Sequence, residues 1–62
     1  MIEPSNKDIG RAVNYVGNRY EGGEIERGII TAVSEHYVFV RYGADSHSKS
    51  TLRDDLEWAD LQ

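Results

Sequence analysis

Residues 25–42 read IERGIITAVSEHYVFVRY, and this stretch decides the fold. Two runs dense in β-branched and aromatic side chains, 25–33 and 37–42, flank the short polar segment 34–36. Such side chains favour strands, and a connector this short brings two strands together antiparallel. The stretch therefore predicts a β-hairpin in the middle of the chain.

The register of this hairpin decides which side chains face the interior, because side chains alternate along a strand. A three-residue connector, which we favour, pairs Ala32 with Val38 and Ile30 with Val40, and it turns all four side chains inward. A two-residue connector is the open alternative, and it turns inward a different set from the first strand: Ile29, Thr31 and Val33. Val38 and Val40 face the interior under both registers.

Three further strands are predicted from shorter segments rich in strand-forming residues: 11–16, 50–52 and 57–59. One helical turn is predicted at 53–56, where Thr51 or Asp54 can cap it. This order predicts an all-β fold, a small five-stranded SH3-like barrel with one short helical turn before the last strand. An open three-stranded sheet is the alternative, but it leaves longer unpaired edges. The remaining core residues are predicted to be Val13, Tyr42, Leu52, Leu56 and Trp58.

The chain has 62 residues, which is the size of a single domain. Residues 1–7 contain the only proline and show no periodicity, so we expect a flexible N-terminal arm followed by the barrel domain at 8–62. A domain this small buries only about 60% of its unfolded surface, so its stability is marginal. The sequence contains no long apolar run and no basic leader, so we expect a cytoplasmic protein that does not enter a membrane.

The residue types argue against catalysis. The chain has no cysteine, so disulfides, a thiolate nucleophile and cysteine-ligated zinc are excluded. His36 and His47 are the only histidines and lie in different predicted loops, without the three or four converging ligands of a metal site. No carboxylate pair or serine motif has the setting of a catalytic centre. We therefore predict no enzyme activity, no metal and no cofactor.

Acidic side chains outnumber basic ones by 11 to 7, giving a formal net charge of −4. This balance disfavours non-specific attraction to nucleic acid or anionic lipid. The acidic excess is concentrated near the C-terminal end, at Asp54, Asp55, Glu57 and Asp60. We interpret that end as solvated surface, with attraction of a basic partner as the alternative.

Tyr37, Phe39 and Arg41 form the predicted partner-binding site. Both registers place Tyr37 and Phe39 on the outer face of the hairpin, beside Arg41, and aromatic and arginine side chains are enriched at binding hot spots. The predicted partner is another protein or a second copy of this chain. The alternative is that the N-terminal arm or the first long loop covers these rings as a minor core.

Nucleic-acid binding by a small barrel is the alternative function. It requires the basic side chains to gather on one face: Arg11, Arg19, Arg27, Arg41, Lys49 and Arg53. Glutamates at 21, 24, 26 and 35 lie among them and work against such a patch. A polyproline groove of the SH3 type would draw on Tyr15, Tyr20 and Trp58, but the first loop has few of the acidic and aromatic residues that such grooves use.

Several segments carry a resemblance to known proteins: RGIIT at 27–31, YVFVRYG at 37–43 and LRDDLEW at 52–58, preceded by Gly10, Arg11, Val13 and Tyr15. Through them, the chain resembles short phage and prophage proteins over about residues 8 to 59. The stretch 38–43 is also similar to the third strand of Tudor-like and KOW-like barrels. The resemblance implies an SH3-like barrel and a phage-type accessory role, and it supplies no catalytic residue. A Tudor-type aromatic cage would draw on Tyr20, Tyr37, Tyr42 and Trp58.

Overall fold

A computed structural model of the chain describes residues 1–17 and 25–59. The described residues contain five strands: β1 Ala12–Tyr15, β2 Glu26–Val33, β3 Val38–Tyr42, β4 Lys49–Thr51 and β5 Leu56–Trp58. They also contain two short 3-10 helices. The first 3-10 helix is Asn6–Asp8, and the second, Arg53–Asp55, lies between β4 and β5.

All five strands belong to one antiparallel sheet with the order β4-β3-β2-β1-β5. The last strand returns to pair with the first, with Val13 opposite Trp58 and Tyr15 opposite Leu56. This return curls the sheet into a half-barrel, so its inner face encloses a core. The all-β prediction, with five strands and one helical turn before the last of them, is confirmed.

The register of β2 and β3 changes partway along the pair. Ile30 lies opposite Val40, as predicted, but Ala32 lies opposite Phe39, and Val33 takes the place opposite Val38. The predicted Ala32–Val38 pair is therefore wrong. The cause is a β-bulge between Ile30 and Ala32, which adds one residue to β2 and reverses the faces beyond it.

Side-chain hydrogen bonds support this local geometry. The hydroxyl of Thr31, at the bulge, donates to the carbonyl oxygen of Phe39 at 3.2 Å. Beyond the bulge Val33 packs against the core, as the alternative register predicted, while Ala32 is half-buried on the outer face. The connector is one residue longer than predicted, because the N–H of Ser34 donates to the carbonyl of Tyr37 at 2.9 Å and closes a turn over 34–37.

The core lies on the inner face of the half-barrel. It contains most of the residues predicted for it: Val13, Ile30, Val38, Val40, Tyr42 and Leu56. Leu52 was predicted in the core and is instead 52% exposed, because β4 ends at Thr51 and Leu52 is the N-cap of the second 3-10 helix. Trp58 is half-buried at the edge of the core, with the guanidinium carbon of Arg11 3.9 Å from its ring centroid.

The predicted caps of the helical turn are not used. Leu52 occupies the N-cap of the second 3-10 helix, and it makes no side-chain hydrogen bond there. The hydroxyl of Thr51 bonds to the hydroxyl of Tyr42 instead. Thr51 therefore links two strands rather than ending a helix.

Residues of the predicted N-terminal arm lie against the half-barrel. Ile2 is 4% exposed within the core cluster, and its N–H donates to the carbonyl of Arg53 at 3.3 Å. Ser5 and Asp8 form a capping box on the first 3-10 helix. The N–H of Ser5 lowers the pKa of Asp8 most, and Arg11, at 3.0 Å, adds to the effect. The flexibility of residues 1–7 stays a prediction.

Gly28 allows the Val40 side chain and the β3 backbone to pack closely against β2. A Cβ atom at this position would lie 2.5 Å from a methyl carbon of Val40 and 2.8 Å from the carbonyl oxygen of Arg41. Both distances are shorter than van der Waals contact. A glycine is therefore required here by packing.

Candidate binding cleft

A surface cleft of about 310 Å³ opens where the end of β1, the β2–β3 connector and the second 3-10 helix meet. We call it the tyrosine cleft, and its lining residues are Tyr15, Glu26, Tyr37, Tyr42, Lys49, Ser50, Thr51, Leu52 and Asp55. Tyr15 and Glu26 lie opposite each other on β1 and β2. The topology of the sheet thus brings Tyr15 together with Tyr37 and Tyr42, which are more than twenty residues away in sequence.

The floor of the cleft is a fixed pair of tyrosines. Tyr42 is 7% exposed, and its hydroxyl lies 2.8 Å from the hydroxyl of Thr51. The ring of Tyr15 meets that of Tyr42 edge to face, with centroids 6.1 Å apart and planes at 80°. Burial raises the pKa of Tyr42 above its ordinary value of 10.0, and the charges of Glu26 and Asp55 act in the same direction. Tyr42 is therefore neutral at physiological pH.

The rim of the cleft is apolar and exposed. Tyr37 is 43% exposed and Leu52 is 52% exposed, although both are large apolar residues. The described residues contain three other large exposed apolar side chains, Met1, Ile9 and Ile25, and none of these lines the cleft. Exposed apolar side chains that border a concave surface are typical of an interaction site.

The charge around the cleft is mainly negative. Glu26 and Asp55 each contribute a carboxylate, and within residues 1–17 and 25–59 neither forms an ion pair. Lys49 is the one cation among the described lining residues, and it lies 3.9 Å from Asp45, with both side chains largely exposed. An exposed pair of this kind contributes little to stability and is easily exchanged for another partner.

Hydrogen bonds to backbone carbonyl groups hold the walls of the cleft together. The guanidinium of Arg53 donates to the carbonyl of Ser34 at 2.6 Å and to that of Glu35 at 3.1 Å. These bonds join the second 3-10 helix to the connector that carries Tyr37. On the other side, the N–H of Val16 donates to the carbonyl of Asp55 at 2.8 Å. Both sides of the cleft are therefore anchored to the same short helix.

The three predicted site residues do not share one surface. Val38 and Val40 are fully buried. Phe39 and Arg41 alternate with them along β3 and therefore face outward, as predicted. Tyr37 lies before β3 begins, in the turn, and lines the tyrosine cleft instead. The alternation that governs a strand does not extend into the turn. Partner binding by Tyr37, Phe39 and Arg41 stays a prediction.

Other sequence-based candidates fall into two groups. Arg19, Tyr20, Asp60 and the glutamates at 21 and 24 lie outside the described residues. Trp58 does not line the tyrosine cleft, and the polyproline groove and the aromatic cage both draw on Tyr20 as well, so both stay predictions. His36 and His47 are exposed, and no three acidic or histidine side chains among the described residues are grouped to hold a metal.

Sequence reasoning missed Glu26, Leu52 and Asp55 as members of this site. The sequence pattern places Leu52 in the core by its type alone and Asp55 in a solvated acidic surface, and it presents Glu26 only as a charge that works against a basic patch. The sequence contains a signal for the exposure of Leu52. Leu52 directly precedes the polar turn 53–55, and a strand that ends there need not bury its last apolar residue.

Comparisons of the chain with protein-family models, curated proteins and solved structures give no match. No helix in the described part of the chain is long and apolar enough to cross a membrane. Function is therefore inferred from the cleft and from the outer face of the sheet.

Proposed function

We propose that this chain is a non-catalytic interaction module that binds a protein partner and holds an extended segment of it in the tyrosine cleft. The observation that carries the proposal is the exposure of Tyr37 and Leu52 on the rim above the edge-to-face pair of Tyr15 and the buried Tyr42. An apolar side chain of the partner can cover both rim residues. Tyrosine serves well in such a role, because a large rigid ring loses little conformational entropy on binding.

The polar groups of the cleft favour recognition over catalysis. The hydroxyls of Tyr42 and Thr51 satisfy each other, so neither is left as an activated nucleophile or base. No buried side-chain nitrogen or oxygen in the described segments lacks a hydrogen-bond partner. A catalytic centre usually contains groups held ready for proton transfer, whereas this cleft offers rings, an exposed leucine and peripheral carboxylates.

The same proposal includes an SH3-like barrel as the fold and a phage or prophage accessory protein as the biological role. The meander of four strands, the second 3-10 helix and the return of β5 to β1 support an SH3-like barrel. The resemblance in sequence supports a phage or prophage accessory protein that acts in the cytoplasm. A second copy of the chain is an admissible partner, because the exposed rim is available on each molecule.

Selection of peptides from an unbiased library, followed by NMR mapping on the isotope-labelled protein, tests the proposal. We expect the selected peptides to shift the backbone signals of Tyr37, Leu52 and Asp55. Tyr37→Ala should weaken their binding at least about tenfold, which corresponds to about 1.4 kcal/mol. Ile9→Ala is the matched control, because Ile9 is 47% exposed and lies outside the cleft.

Two results would contradict the proposal. One is that the selected peptides shift backbone signals of the protein only at residues outside the cleft. The other is unchanged affinity in Tyr37→Ala when its unfolding curve matches that of the parent. Light scattering across a range of concentrations decides between the two kinds of partner, since a strict monomer excludes the second copy.

A further inference from the structure

Two arginines lie side by side on the outer face of the sheet. Arg41 on β3 faces outward and lies opposite Ile29 on β2. Arg27 precedes Ile29 by two residues, so its side chain has the same orientation and is a diagonal neighbour of Arg41. Such neighbours have Cβ atoms about 7–8 Å apart, which is within reach of two long side chains. Both arginines are exposed.

These two guanidinium groups have no ionic partner among residues 1–17 and 25–59. Arg53, by contrast, is held by two backbone carbonyls, and Arg11 lies 3.0 Å from Asp8. The chain places this pair together even though its acidic side chains outnumber its basic ones. Two exposed guanidinium groups that no described carboxylate neutralises are available to bind an external anion.

The surface between the two arginines is shallow and apolar. A depression of about 300 Å³ is lined by Arg27, Gly28, Ile29, Arg41 and Gly43. Gly43 is exposed and has open space where a side chain would lie, so a ligand can approach the backbone there. Ile29 is half-buried between the cations, and Phe39, two residues before Arg41 on the same face, is half-buried too. The depression therefore combines an apolar floor with positive charge at its edges.

We infer that this depression is a second binding site, which takes an acidic segment of a protein partner. Side-chain carboxylates of the segment bind Arg27 and Arg41, and an apolar side chain between them packs on Ile29 and Phe39. Guanidinium groups suit this role, because their planar donors match the two oxygens of a carboxylate. The charge is opposite to that of the tyrosine cleft, so the two sites select different segments.

The same face is poorly suited to nucleic acid. A polyanion needs a row of cations, and the described lining of the depression offers two. Glu57 also lies on this face, two strands from Arg27 in the same cross-strand row, with Asn14 between them. A phosphate backbone that extended along the row would meet that carboxylate. A short segment that bears its charges on either side of one apolar residue would not reach the Glu57 carboxylate.

Fluorescence anisotropy with two labelled peptides tests the inference. The acidic probe has a leucine flanked by glutamates, and the control peptide has glutamines in their place. We expect the parent protein to bind the acidic probe at least tenfold more tightly than the glutamine peptide. Added salt should weaken binding of the acidic probe, because the contacts are ionic.

Matched variants show whether the depression is responsible. Arg41→Gln and Lys7→Gln change the net charge equally, but Lys7 is on the first 3-10 helix and does not line the depression. We expect Arg41→Gln to weaken binding of the acidic probe at least tenfold, and Lys7→Gln to leave it within about twofold. Arg41→Gln should remain folded, because Arg41 is exposed and forms no ion pair with any described residue, and circular dichroism checks this.

The inference is overturned if the two variants lose affinity equally, since the effect would then be one of overall charge. It is also overturned if a single-stranded oligonucleotide of equal charge displaces the acidic probe from the parent, because the surface would then be a nucleic-acid site. Tyr37→Ala should leave binding of the acidic probe unchanged. The experiments therefore test this second site and the tyrosine cleft independently, and either proposal can fail without the other.

Discussion

The inner and outer faces of β3 follow different rules, although their residues alternate along five positions of one strand. Val38 and Val40 on the inner face are fully buried, and the close approach of Gly28 leaves no room beside Val40. On the outer face, Phe39 lies between the small residues Ala32 and Ser50 and remains half-exposed. The inner face of β3 therefore determines whether the chain folds, and its outer face is free to contribute a binding surface of its own.

The largest effect should follow from Ile30→Ala on the inner face. Ile30 is fully buried, so truncation leaves a cavity and should lower the free energy of unfolding by about 2–5 kcal/mol. That is a large fraction of the stability of so small a domain. Urea denaturation measures the loss. The matched control is Ile29→Ala, the same substitution one residue away on the outer face, for which about 1 kcal/mol is expected. Equal losses would contradict the distinction between the faces.

Gly28→Ala should have the next largest effect, because the added methyl group meets Val40 and the backbone of β3. Overpacking of this kind costs about 1–3 kcal/mol, measured as a shift of the urea midpoint. In the double variant with Val40→Ala, part of the overlap is removed. The combined loss should then be smaller than the sum of the two single losses. Strict additivity would show that the two residues do not compete for space.

Phe39→Ala should cost only about 1 kcal/mol, since the ring is half-exposed on the outer face. Binding of an acidic segment should suffer more than stability does. Thermal unfolding and anisotropy on the same preparation give both quantities. A loss of several kcal/mol would show that Phe39 belongs to a second core, and the outer face would then not be a binding surface.

The smallest effect concerns alkaline pH and the floor of the tyrosine cleft. Burial raises the pKa of Tyr42 in the folded state above the ordinary value of 10.0, so folding favours its neutral form. Its contribution to stability is therefore complete below pH 10.0 and is lost as the pH rises through the higher folded-state pKa. Urea unfolding at a series of alkaline pH values measures this loss. Tyr42→Phe should remove this part of the pH dependence, and an unchanged profile would contradict the assignment.

Sequence reasoning predicted the strands and their succession along the chain, because each strand depends on a local pattern. The runs 25–33 and 37–42 consist of strand-forming residues, and Val38 and Val40 face inward under any register that keeps them in one strand. The bulge at Thr31 could not be predicted in this way. It inserts one residue, and residues on both sides of it are compatible with a strand. The two registers weighed from the sequence each describe one side of the bulge.

The cleft was less predictable than the sheet, because it is formed by residues that only the tertiary fold brings together. Tyr37 was identified by its type but assigned to the wrong surface, since the turn ends the alternation of β3. Ile2 was missed as a core residue, because one isoleucine in an aperiodic segment carries no pattern. Leu52 and Asp55 acquire their positions from the second 3-10 helix, whose sequence indicates a turn but not its neighbours.

The bonds from Arg53 to the carbonyls of Ser34 and Glu35 have a kinetic consequence. They set the spacing between Leu52 and Tyr37 before any ligand arrives, so complex formation loses little chain entropy on the protein side. Association should then be a single step whose observed rate rises linearly with ligand concentration, with no plateau from a preceding conformational change. Arg53→Gln would release that spacing, and the resulting delay should appear as a second, concentration-independent phase in stopped-flow fluorescence.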